Sequence, residues 1–168
     1  LVLANIPTGW YVPRMNDTTP RTSARERLLQ SAMTLIRSKG FAATSVDELC
    51  KAAGVTKGAF FHHFASKEAL GVAAADYWSE TTSALFAEAP YHAPEDPLER
   101  VYAYLDFRAA LVEGEIPEFT CLVGTMVQET YGLSAPIREA CHASIAGHAT
   151  TLEADIQAAL DARGIGAP

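Results

Sequence analysis

Two histidines, His62 and His63, sit side by side in GVTKGAFFHHFASKEAL, which runs from Gly54 to Leu70. Imidazoles ligate metals and change charge near neutral pH, so the pair raises metal or acid–base chemistry. Adjacent helical residues point about 100° apart, however, so the two rings cannot face one ion without distortion. Cys141-His142 and His148 form a second set, in which a thiol could act as nucleophile or ligand. Cys141 and His148 lie about two turns apart, roughly 10 Å along a helix axis. No acidic residue has an evident place in a triad with them. One reading is therefore a small helical metal-binding protein or enzyme using His62/His63 or Cys141/His148. The other is a binding module, in which the glycines, Thr56, Lys57 and Lys67 matter as much as the imidazoles.

Charge separates these readings. The net charge is −7, but it is unevenly spread. Residues 21–67 carry eight Lys/Arg against three acids, a local +5. Residues 68–168 carry four Arg against sixteen acids, a local −12. A small basic head on an acidic body implies two jobs, with polyanion contact confined to the first. Three widely spaced cysteines (Cys50, Cys121 and Cys141) fit a reducing cytoplasm better than a disulfide framework or a structural zinc site. No apolar run approaches the ~20 residues that span a bilayer, so no membrane partner is expected. The first 14 residues, LVLANIPTGWYVPR, lack the order of a secretory signal, and Met15 opens a more ordinary start. Met15 is expected to be the native initiator. Residues 1–20 then form a segment that is either a flexible arm or partly foreign to the protein.

The elements that must position these residues are helices, and the fold class is all-α. Ser23-Ala-Arg-Glu26 and Ser45-Val-Asp-Glu48 are capping boxes that open the first two helices. Leu28, Leu29, Ala32, Leu35 and Ile36 share one face of the first, and Gly40 stops it. Val46, Leu49 and Ala53 point inward from the second, which Gly54 ends. Thr56 caps a third helix over Lys57–Phe64, and Ser66 a fourth that runs from Lys67 to about Glu88. APYHAPEDP, Ala89–Pro97, is the clearest linker. Further helices are predicted from Pro97 to about Glu113, near Glu118–Tyr131, and over about Pro136–Arg163. There is no hairpin signal, internal repeat or low-complexity block.

Three short helices joined by tight turns, with Ala53-Gly54-Val55-Thr56 between the second and third, make a helix-turn-helix. Gly54 allows a positive φ, Val55 plugs the angle, and Thr56 leaves the first amides of the third helix and Lys57 aimed outward. Such an end favours phosphate and reaches base edges in a major groove. GFAATSVDELCKAAGVTKGAFFHHFASKEAL, Gly40–Leu70, resembles the tetracycline-repressor (TetR/AcrR) family of transcription regulators. The Gly-aromatic pair, Thr44-Ser45-Val46, the AAGV turn, Lys57-Gly58, His62-His63-Phe64 and Ser66-Lys67-Glu68 carry the resemblance, and FTCLVGTMVQE, Phe119–Glu129, adds a softer one.

The resemblance implies a non-enzymatic cytoplasmic repressor, homodimeric on a palindromic double-stranded operator and released by a small-molecule effector, with no cofactor or metal. It implies a DNA-binding domain over residues 21–66 and a helical effector-binding and dimerisation domain over 67–168. Thr44 and Ser45 then stand at phosphate, Thr56, Lys57 and Gly58 at the backbone or a guanine edge, and Ala59 at a thymine methyl. His62, His63 and Lys67 complete the DNA-binding set. Phe61 and His63 stand where the family usually has tyrosines. Trp78, Tyr104, Phe107, Cys121, Met126 and His148 are expected to line an effector pocket between bundle helices. A cationic effector stays open from the acidity of the body. The family's dimer interface is built from its last two helices, and the sequence ends at GIGAP, Gly164–Pro168, after the first of them. Truncation and a differently built dimer both remain open.

Overall fold

Ser23 opens the first helix of the computed structural model, which describes residues 22–166. Residues 1–20, with Met15, lie outside the described residues. Helix α1 spans Ala24–Lys39, α2 Val46–Ala53, α3 Lys57–His63 and α4 Lys67–Ala87. A 3-10 turn at Pro90–His92 leads to α5, Pro97–Ala110. Short α6, Ile116–Phe119, and α7, Leu122–Thr130, precede the long α8, Ala135–Asp161. No strand occurs among the described residues.

Local chemistry sets the boundaries. Ser23 Oγ accepts the Glu26 amide at 3.1 Å, which is half of the predicted box. At Ser45 both halves are present, and Glu48 Oε2 accepts the Ser45 amide at 2.9 Å. Asp96 caps α5 ahead of Pro97, whose fixed φ suits a first helical position.

One core unites head and body. Leu28, Leu29, Ala32 and Ile36 of α1 meet Leu49 of α2 and Phe60 of α3. The same cluster takes in Leu70 and Ala74 of α4, Leu122 and Met126 of α7, and Ile137 and Cys141 of α8. A smaller cluster of Phe86, Ala89, Tyr91, Phe107 and Leu111 closes the far end of the body.

Two predictions of layout need correction. The helix expected near Glu118–Tyr131 is two helices. Thr120 is extended, with φ −65° and ψ 131°, and Cys121 restarts the chain by capping α7, its Sγ accepting the Gly124 amide at 3.4 Å. The break is held by Arg37, which donates from Nε to the Thr120 carbonyl at 2.8 Å and from Nη2 to that of Glu118. The APYHAPEDP linker is also packed structure: Ala89 and Tyr91 are buried, and the His92 ring meets the Phe86 carbonyl at 3.0 Å.

Candidate nucleic-acid interface and its cavity

Gly54 adopts φ 62° and ψ 41°, a left-handed conformation that a Cβ disfavours. There the chain turns out of α2, with the Val55 amide returning to the Cys50 carbonyl at 3.0 Å. Arg27 of α1 fastens the end of α2 from the other side, Nε donating to the Ala53 carbonyl at 3.0 Å. Val55 packs against the core, and Phe60, wholly buried, fixes the roll of α3. Thr56 Oγ1 accepts the Ala59 amide at 3.1 Å, leaving the other first-turn amides of α3 unbonded by this cap.

With that roll fixed, Thr56, Lys57, Gly58, Phe61, His62 and His63 are exposed and Ala59 is half-buried. Lys57 Nζ pairs with Asp47 Oδ1 of α2 at 2.7 Å, and that hydrogen bond raises the lysine's pKa. Both partners are exposed, so the pair contributes little and yields readily to a competing anion. A Cβ on Gly58 would meet nothing nearer than Thr56 Oγ1 at 3.7 Å. The fold itself makes no demand for glycine there. Phe61, 55% exposed, leaves an apolar ring on the same surface.

Two predicted contacts look different in place. Thr44 is 1% exposed and its hydroxyl donates to the Gly40 carbonyl at 2.7 Å, so it tightens the α1–α2 turn and presents no side chain to a phosphate. Ser45 remains exposed, but its hydroxyl serves Glu48 at 2.8 Å. Lys39 holds the same carboxylate at 2.5 Å. The lysine hydrogen bond first, and the Ser45 contacts second, depress the Glu48 pKa to about 2.

Lys67, half-buried at the start of α4, reaches back to that turn. Its Nζ donates to the Ala42 carbonyl at 3.2 Å and lies 4.5 Å from the Phe41 ring centre. Burial lowers its pKa. Glu129 of α7 grips the same turn from the body, Oε2 accepting the Ala42 amide at 2.7 Å. The turn between α1 and α2 is thus tied to both α4 and α7. Sequence reasoning missed Glu129, although it closes the FTCLVGTMVQE stretch.

Between α4, α5, α7 and α8 lies a cavity of about 340 Å³. Trp78, Cys121 and His148 line it as predicted from the sequence, but three other expected residues do not. Met126 is wholly buried in the main core and Phe107 belongs to the smaller one. Tyr104 stands behind the wall, its hydroxyl 2.9 Å from His148 Nε2. Burial, with Arg108 second, pushes the His148 pKa down. Cys141 lies in the main core, where burial raises its thiol to about 11, too high for a nucleophile at neutral pH. Cys141 and His148 are thus parted between the core and the cavity, where His148 meets Tyr104.

Arg37 and Arg108, neither anticipated, also line the cavity. Arg37 continues the Leu29–Met33 stripe of α1 at the next i+4 position, and a cation on an apolar stripe is the signal that could have found it.

The helix-turn-helix region, residues 28–74, matches the family model described as bacterial regulatory proteins, tetR family. The transcriptional regulator LmrA of Bacillus subtilis is 30% identical over 127 residues, covering 71% of this chain and 63% of LmrA. The transcriptional repressor NemR of Escherichia coli is 49% identical over 49 residues, 29% of this chain and 25% of NemR. The chain spans less than two thirds of the length of these curated relatives. A TetR transcriptional regulator from Chloroflexus aurantiacus has a similar structure, with a TM-score of 0.71 at 28% identity over 84% of this chain and 70% of the other. Motif, fold and relatives agree: residues 28–74 belong to the TetR family of helix-turn-helix transcriptional regulators, and the chain as a whole shares that family's fold.

Proposed function

We propose that the chain is a DNA-binding transcriptional repressor that acts as a homodimer in the cytoplasm and leaves its palindromic operator when a small molecule fills the cavity. The observation that carries this reading is α3. A short helix is held by a buried Phe60 and a left-handed Gly54 so that Thr56, Lys57, Gly58, His62 and His63 face outward together. Lys57, the histidines, Ser45 and Lys67 supply contacts to phosphates, Gly58 admits close approach, and Ala59 reaches a thymine methyl. Thr44 acts behind them by holding the turn. Two such heads about 34 Å apart match successive major grooves.

Release follows from the length of α4. The helix carries Lys67 against the head at one end, and Trp78 and Phe86 at the cavity further along. Trp78 is eleven residues from Lys67, about 16 Å of rise. A ligand that favours one tilt of α4 shifts the population of head spacings by its differential affinity for the two tilts. The Glu129 contact gives α7 a second hold on the same turn. Lys57→Ala tests the interface: the melting temperature stays unchanged, operator affinity falls, and the salt slope becomes shallower by about 2 in a dimer. Unchanged operator binding would remove Lys57, and the face it sits on, from the reading.

A further inference from the structure

We propose that the cavity takes an organic monoanion, a carboxylate on an apolar body, with Arg37 as the anchor for the carboxylate. This inference rests on reading the cavity as the effector site. The body is strongly acidic, yet no Asp or Glu lines the cavity, whereas Arg37 and Arg108 both do. Arg37 is 8% exposed and forms no ion pair among the described residues. Its Nε and Nη2 are bound to the carbonyls of Thr120 and Glu118, and Nη1 donates to no protein atom among the described residues. Burial disfavours the charged guanidinium, Cys121 and then Glu118 oppose that only from a distance, and the Glu118 carboxylate caps the Glu115 amide at 2.8 Å instead.

A buried cation with neutral partners alone is costly, and an anion in the adjoining space relieves that cost. Guanidinium is also the side chain suited to carboxylate, through short charge-assisted hydrogen bonds.

The rest of the cavity fits the tail of such a molecule. Arg37 lies 5.3 Å over the Trp78 ring, and Arg108 lies 5.5 Å over Phe86, two turns further along α4. Trp78 and Phe86 form an apolar wall about 12 Å long, faced by Leu111, Val123 and Ile145. Arg108 is exposed, so water screens it, and it serves the approach of an anion more than its final hold. A volume of about 340 Å³ sits at the small end of the ~300–1,000 Å³ range for ligand pockets, which selects a short chain or a single ring.

The test is isothermal titration of the full chain, without DNA, against matched series. Straight-chain carboxylates of four to twelve carbons and phenylalkanoates are compared with the alcohol and the amine of the same skeleton. The expected result is that the best carboxylate binds roughly ten-fold or more tightly than its alcohol, and that the amine binds more weakly still. Arg37→Met should remove that preference, Arg37→Lys should retain part of it, and Arg108→Gln should reduce it least. If Arg37→Met fails to fold, the wild-type series still decides. No carboxylate exceeding its matched alcohol, or an amine binding best, overturns the proposal. Operator binding is measured in parallel: carboxylate preference in a chain that ignores DNA supports the anion site and overturns the repressor reading, whereas operator binding without carboxylate preference does the reverse.

Discussion

Gly58 is the residue at which folding and the proposed DNA contact ask for opposite things. Glycine within a helix costs about 0.5–1 kcal/mol relative to alanine, and a Cβ here would meet only ordinary contact at 3.7 Å. Gly58→Ala should therefore keep or raise the melting temperature while weakening operator affinity, as read by thermal melts and anisotropy on one preparation. A drop in stability would show that the glycine serves the fold. Glu48 gives a residue-level test by pH. Lys39 and Ser45 hold its folded pKa near 2, below the ordinary 4.5. A depressed carboxylate stabilises the fold fully above about 4.5 and loses that contribution as pH falls through about 2. The melting temperature of wild type should exceed that of Glu48→Gln at pH 7, and the gap should close between about 4.5 and 2. Residue identities at the surface of α3 were legible because they follow from spacing around Thr56. The fate of Thr44 was not, since a threonine before a helix reads the same whether its hydroxyl faces solvent or, as here, the Gly40 carbonyl.

At the scale of elements, the turn between α2 and α3 sets what α3 presents. Gly54→Ala forces a Cβ into φ 62° and should cost about 1–2 kcal/mol in denaturant unfolding, with operator affinity falling in step. A loss of stability with full affinity would mean that the angle between the helices is set elsewhere, by Phe60 or by Arg27 on the Ala53 carbonyl. The first four helices could be read from the sequence because each begins with a serine or threonine cap, and a glycine ends the first two. The break between α6 and α7 could not, because it depends on Arg37 meeting two carbonyls more than eighty residues away. The same long-range packing took Met126 and Phe107 out of the expected pocket. Apolar periodicity places a side chain on an inner face but does not say whether that face closes on a neighbour or on a cavity.

For the whole molecule, charge and packing divide the labour differently. The formal charge splits sharply, +5 over residues 21–67 and −12 beyond, while one core takes in residues of both parts, from α1 to α4 and from α7 and α8. One packed body therefore connects the basic head, the proposed DNA-reading surface, to a cavity whose arginines oppose the acidity around it. In the proposed function this head binds DNA through a basic face built on α3 and the start of α4. The direct measurement is fluorescence anisotropy of the chain on a duplex from its own promoter, across a salt series, against a scrambled duplex. Two heads that each neutralise phosphates through Lys57 and Lys67 predict preference for the promoter, and log affinity falling linearly with log salt at a slope of about −3.6 or steeper. A flat salt response, or equal affinity for the scrambled duplex, would show that the head does not bind DNA in this way.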